Sequence, residues 1–167
     1  YFPTREGVAN FHDNFVDALI LAGEEKIAEG KVEQAVTLYK KAFTYPENHQ
    51  VFLVDERATH DAQINYCLGE AYAALGQDAE AEKYWKLAAE QDYELKESKD
   101  FRYWTGLALE RLGRKAEAEA IFSALVADGE AAVVTQHVNF YGAEGTTGVT
   151  VDIINSAAYY TQALGHL

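Results

Sequence analysis

Along most of the chain, apolar residues recur every three or four positions, as in helices that bury one face. The clearest stretch is Asn65-Tyr66-Cys67-Leu68-Gly69-Glu70-Ala71-Tyr72-Ala73-Ala74-Leu75-Gly76, followed by Ala81, Trp85 and Ala88. Leu75-Gly76-Gln77-Asp78 reads as a tight turn, so the pattern predicts two antiparallel helices, about Thr59 to Leu75 and about Ala79 to Gln91. Sliding the chain on itself lays Gly69, Leu75-Gly76, Ala81 and Trp85 on Gly106, Leu112-Gly113, Ala118 and Phe122, 37 residues later. Gly23, Gly30, Ala35 and Tyr39 stand in the same phase, 46 residues earlier. Glycine inside a helix costs about 0.5–1 kcal/mol relative to alanine. Gly23, Gly69 and Gly106 in one phase therefore make sense where a neighbouring helix needs the space of the missing Cβ. Trp85 and Phe122 would fill what each hairpin encloses.

The remaining elements follow from the same pattern. Tyr1 to Gly7 reads as extended, and the first helix runs from about Val8 to Glu29, with Phe11, Phe15, Ala18, Leu19 and Ala22 on its apolar face. Gly30 ends it, and a second helix from Val32 to about Phe43 turns Ala35, Leu38, Tyr39 and Ala42 inward before Tyr45-Pro46-Glu47-Asn48 stops it. Val51-Phe52-Leu53-Val54 reads as a buried loop with some strand character. Helices from about Lys99 to Leu112 and Lys115 to Asp128 make the third hairpin. The texture then changes. Gly142, Gly145 and Gly148, β-branched residues and Thr146-Thr147 predict an insertion, partly extended around His137 to Tyr141 and Val149 to Ile153. Helical texture returns at about Asn155 to Leu167, where Tyr159, Tyr160, Ala163 and Leu164 lie over Asn65, Tyr66, Gly69 and Glu70. The expected division is an extended N-terminal arm (1–15), hairpins at about 16–49, 62–95 and 99–132, an insertion (133–155), and the first helix of a partial fourth repeat (156–167).

Composition narrows the function. With 167 residues and 49% apolar content the chain forms one domain with a continuous core. A net charge of −13, from 14 basic and 27 acidic residues, argues against binding nucleic acid through its phosphates. No Lys or Arg lies between Ala116 and Leu167, whereas Glu117, Glu119, Asp128, Glu130, Glu144 and Asp152 do. The single cysteine, Cys67, forms no intrachain disulfide and no paired-cysteine zinc cage. No apolar run has the roughly 20 residues of a membrane span and no basic-then-apolar leader opens the chain, so a soluble chain without membrane partners is expected; cysteine usage leaves the compartment open, with the cytoplasm favoured. A chain that starts at Tyr1, holds no Met and stops inside helical texture reads as a piece of a longer protein.

The repeats resemble tetratricopeptide repeats, whose W-x2-L-G-x2-Y…A-x3-F…P pattern is a helical hairpin. The second hairpin matches best, with Leu68-Gly69, Tyr72, Ala81 and Trp85 in place, although Asn65 stands at the large aromatic position and Tyr93 at the proline. The third keeps Gly106, Ala118 and Phe122, with Leu109 for the tyrosine and Arg102 for the first aromatic; the first keeps Gly23, Ala35 and Tyr39, with Lys26 for the tyrosine. The spacings of 46 and 37 exceed the usual 34 residues. The resemblance implies an all-α fold, a right-handed superhelical stack of antiparallel hairpins, here with one loop-rich insertion. Tyr45-Pro46-Glu47-Asn48, Leu68-Gly69 to Gly76, Tyr103 to Leu109 and Ala163 to Leu167 together are similar to a narrower group. These are large bacterial proteins in which a β-rich region of unknown function precedes a tetratricopeptide-like tail, and they imply a carbohydrate-related context.

In such stacks the first helix of each hairpin lines the concave groove. The outward places are then Asp17, Ile20 and Glu24; Gln63, Tyr66 and Glu70; Asp100, Tyr103 and Leu107; and Tyr160 and Leu164. Tyr66, Tyr103 and Tyr160 share one phase and either form a recognition row for peptide or sugar or pack between repeats. Glu24, Glu70 and Glu110 form an acidic wall for a basic segment, a carboxylate pair for glycoside chemistry, or a solvated helix face. The basic clamp that holds C-terminal carboxylates in tetratricopeptide domains is absent, since Ile20, Glu24, Tyr66 and Glu70 stand there. His12, His49, His60, His137 and His166 are scattered, Cys67 has no supporting His, and the insertion's glycines lack the Lys-Ser/Thr ending of a phosphate loop. The expectation is a scaffold without catalysis, metal or cofactor that binds a peptide, a partner protein or another domain of its own polypeptide. The alternative is an accessory module of a carbohydrate-active protein.

Overall fold

The computed structural model describes residues 11–44, 60–91, 101–133 and 156–167. Among the described residues all regular structure is helical: α1 (Phe11–Ala28), α2 (Val32–Ala42), α3 (Asp61–Ala74), α4 (Asp78–Ala89), α5 (Arg102–Arg111), α6 (Lys115–Ala132) and α7 (Ser156–His166). The loop at 51–54 and the insertion, apart from Val133, lie outside the described residues. Helix α1 takes in residues 11–15, and the rest of the expected arm, 1–10, lies outside the described residues.

Three turns of the same build join α1 to α2, α3 to α4 and α5 to α6. Gly30, Gly76 and Gly113 adopt φ of 73°, 70° and 74°, the left-handed conformation that a side chain disfavours. Behind each glycine the same two bonds close the helix: the following N–H donates to the carbonyl five residues back, and the glycine N–H to the carbonyl three back. These pairs are Lys31 to Lys26 and Gly30 to Ile27, Gln77 to Tyr72 and Gly76 to Ala73, and Arg114 to Leu109 and Gly113 to Glu110. Only three residues separate the helices of each pair, and the two pack along each other, so they run antiparallel.

Within each hairpin a helical glycine receives an aromatic ring. A Cβ built on Gly23, Gly69 or Gly106 would stand 2.2 Å from Tyr39, 2.3 Å from Trp85 or 2.4 Å from Phe122. Glycine is therefore required here for close approach. Ala35, Ala81 and Ala118, at most 1% exposed, sit at the matching places on the second helices. Each second helix packs on the next first helix, α2 on α3 and α4 on α5, and α3 also meets both α1 and α5. The fully buried Val16, Ile64, Leu68 and Leu125 anchor the core, and the Thr105 hydroxyl donates to the Ala88 carbonyl at 3.1 Å across the boundary of the last two hairpins.

Four expectations are corrected. In α1, Phe15 and Leu19 pack against the core as expected, but the buried positions are Val16, Ile20 and Gly23, and Ala18 is exposed. Ile20, expected to face outward, is 3% exposed and belongs to the cluster formed with Tyr39 and Leu68. Leu164, also placed outward, is 8% exposed. Finally, α6 continues past Asp128 to Ala132, the bound expected of the third hairpin, and Gly129 is a packing position: a Cβ there would lie 2.7 Å from the Ala158 carbonyl oxygen of α7. Gly165 of α7 faces the backbone of α6 in the same way, 2.5 Å from the Phe122 oxygen, so two glycines bring these helices together.

Candidate functional site

Helices α1, α3 and α5, the first of each hairpin, bound a cleft of about 380 Å³. Glu24 and Ile27 come from α1, Tyr66, Glu70 and Ala74 from α3, and Trp104 from α5. Tyr39 and Cys67 reach it from the core, and both are buried. Burial, with the charges of Glu24 and Glu70 added, pushes the Cys67 thiol up to about 12. The thiol is therefore held protonated at neutral pH, whereas the thiolate is the reactive form. Burial likewise raises the Tyr39 hydroxyl, so the floor of the cleft is uncharged.

Glu70 is fully engaged. Trp85 Nε1 donates to its Oε1 at 3.1 Å, and Arg111 Nη2 donates to its Oε2 at 2.5 Å. The Arg111 guanidinium lies over the Trp85 ring, 6.0 Å from its centroid, and also beside the Tyr66 hydroxyl. Burial foremost, and the charge of Glu70 next, raise the pKa of that hydroxyl, while Arg111 opposes them. Glu24 is exposed and has no hydrogen-bond or ion-pair partner among the described residues. The two equivalent carboxylates of the first and second hairpins thus differ: Glu70 is held, whereas Glu24 has no such bond among the described residues.

An aromatic ladder leads away from the cleft. Tyr66 packs on Trp104 with centroids 5.6 Å apart, Trp104 meets Tyr103 edge-on at 5.4 Å, and Tyr103 leans on Phe122 at 6.0 Å. Tyr66 and Tyr103 are half-buried, whereas Tyr160 on α7 is 58% exposed. Burial raises the Tyr103 hydroxyl, with Glu110 and Tyr160 close enough to add to the effect. Tyr66 and Tyr103 are therefore linked through Trp104, while Tyr160 is near enough to Tyr103 to be felt electrostatically. Gln63, half-buried, lies 3.3 Å from the His60 ring, and Asp100 is outside the described residues. Glu110 is exposed and lines a second cleft of about 690 Å³ with Lys115, Phe122 and His166, so the structure joins Glu24 with Glu70 but not with Glu110.

Chemically, the first cleft offers flat aromatic surface, one open carboxylate and no charged floor. Among the described residues no group of three His, Cys, Asp or Glu side chains could hold a metal ion, and no helix is long and apolar enough to cross a membrane. Two contributors escaped the sequence reading. Trp104 is one residue out of phase with Tyr103, which turns it about 100° around the helix. Arg111 meets Glu70 across 41 residues, with no local signal. The chain matches no protein-family model, no curated protein and no solved structure.

Proposed function

We propose that this chain is a tetratricopeptide-like module, a right-handed stack of hairpins without catalytic activity. Its groove, between α1, α3 and α5, holds an extended segment of a partner protein or of another domain of the same polypeptide. The observation that carries this reading is the placement of Tyr66 and Trp104, two aromatic side chains from different hairpins, beside the open Glu24 in one cleft. Aromatic rings with a polar edge are the usual anchors of recognition surfaces. The three turns of like φ and hydrogen bonding and the three glycine–ring contacts support the repeat reading. Both oxygens of Glu70 are bonded within the protein, which speaks against a free carboxylate pair of the glycosidase kind.

The test is to present the purified chain to a peptide array and a glycan array in parallel, with Trp104→Ala as the control. Peptide binding that weakens by at least about 2 kcal/mol on that substitution, as expected for an aromatic anchor, supports the reading, provided circular dichroism shows an intact fold. Binding of glycans alone would favour the accessory carbohydrate module. Peptide binding indifferent to Trp104→Ala would remove the groove from consideration.

A further inference from the structure

The internal repeat allows one boundary between hairpins to be read against the next. At the second boundary, Glu70 and Trp85 of one hairpin receive Arg111 from the following first helix, with the guanidinium on the carboxylate and over the ring. Shifted back by one repeat, Glu70 becomes Glu24, Trp85 becomes Tyr39 and Arg111 becomes Ala74. The first boundary therefore has the carboxylate and the ring but a methyl group in place of the guanidinium. Glu24, Tyr39 and Ala74 all line the cleft of about 380 Å³. The cavity lies where the repeat would seat an arginine.

We propose that this cleft receives an arginine side chain of the bound segment, paired with Glu24 and laid against Tyr66 and Trp104. The inference rests on the groove reading above and adds the chemistry of the ligand. A planar guanidinium can bond a carboxylate through two N–H groups and stack on an aromatic face, whereas an ammonium is a compact point charge. The cleft lies at the small end of the range for ligand pockets, roughly 300–1,000 Å³, which suits one side chain of an extended ligand. The protein's net charge of −13 draws a cationic segment towards it. Arg111 supplies the internal precedent, since this protein already seats a guanidinium on an equivalent pair.

The experiment titrates the purified chain with acetyl-Gly-Gly-Arg-Gly-Gly-amide and with its lysine and citrulline counterparts, following the indole N–H signals of Trp85 and Trp104 by NMR. Acetyl-arginine amide, run alongside, separates a single amino acid from a peptide ligand. The arginine peptide is expected to shift the Trp104 signal saturably, and the neutral citrulline peptide to bind at least about tenfold more weakly. Glu24→Gln should lower affinity by about the same factor, and Ala74→Arg, which supplies the missing guanidinium from within, should block the peptide. Any helix gains from a cation in its last turn, so Ala74→Arg is also melted with and without Glu24→Gln. Only a gain that depends on Glu24 counts in favour. Equal binding of arginine and citrulline, an unaffected Glu24→Gln, or an unblocked Ala74→Arg would each overturn the proposal. Array peptides without arginine that bind through Trp104 would overturn it too, while leaving the groove reading intact. If no peptide depends on Trp104, the groove reading itself fails.

Discussion

Replacing Gly69 by alanine sets two opposing effects against each other. The substitution favours an isolated helix by about 0.8–1 kcal/mol. In the folded chain the new Cβ would stand 2.3 Å from Trp85 Cδ1, 2.4 Å from Nε1 and 3.0 Å from Cγ. Turning the ring about its Cβ–Cγ bond moves Cδ1 and Nε1 but leaves Cγ in place, so the indole has to shift as well as turn. That motion draws Nε1 away from Glu70, 3.1 Å distant, and takes the ring from beneath Arg111. Overpacking costs about 1–3 kcal/mol and a hydrogen bond to a charged acceptor contributes about 1.5–3 kcal/mol. Because Trp85 is only half-buried, the lower ends apply, and the net loss is about 1.5 kcal/mol. Urea melts followed by far-ultraviolet circular dichroism measure it. In a Trp85→Ala background the obstruction is gone, and the same substitution should stabilise by up to about 1 kcal/mol, a coupling of about 2.5 kcal/mol between the two sites. A higher urea midpoint for Gly69→Ala in the parent chain would refute the reasoning, since the ring would then be yielding freely.

Three further outcomes follow from the same geometry. Gly76→Ala and Gly113→Ala, where a Cβ meets open space at φ of 70° and 74°, should each cost about 1 kcal/mol from backbone conformation alone; losses differing by more than about 0.5 kcal/mol between the two urea melts would deny that the turns are equivalent. Trp85→Ala should cost about 3 kcal/mol, the low end for a large aromatic, and a loss under about 1 kcal/mol would remove it from the hairpin core. The buried Cys67 thiol, pushed up to about 12, keeps its proton in the folded state while the unfolded thiol releases it above about 8.5. Its contribution is full below that value and declines as pH rises towards 12, so Cys67→Ala should flatten the alkaline fall in stability measured by urea melts between pH 8 and 11; an unchanged slope would contradict the assignment.

The hairpins were legible because their determinants are local. Gly69 and Trp85, like Gly23 with Tyr39 and Gly106 with Phe122, stand a fixed distance apart around a turn whose glycine is visible in the sequence. The buried face of α1 was legible only in part, at Phe15 and Leu19, because Val16, Ala18, Leu19, Ile20, Leu21 and Ala22 make that helix apolar nearly all round, and periodicity cannot choose among its sides. The phase of Gly23 points to it, since Val16 and Ile20 lie seven and three residues before that glycine. The helix expected to end at Asp128 runs on because the glycine that follows packs closely instead of breaking it, which only the presence of α7 decides. For the candidate site, Tyr66 and Glu70 were marked by their phase, but the engagement of Glu70 by Arg111 depends on how two hairpins stack. That relation carries no sequence periodicity.

Each glycine–ring contact joins residues only sixteen positions apart. A loop that short closes in well under a microsecond, and the helices on either side form on a similar timescale. Contacts this local favour early formation of each hairpin, ahead of long-range docking. The hairpins need not form in a set order, and a lesion in one, such as Gly106→Leu, should slow the docking of its neighbours without preventing the other two from collapsing. Chain length between hairpins enters only through loop closure, where a doubling costs about 0.6 kcal/mol. Hence the first spacing can exceed the second by nine residues while the turn and the ring contact keep the same form.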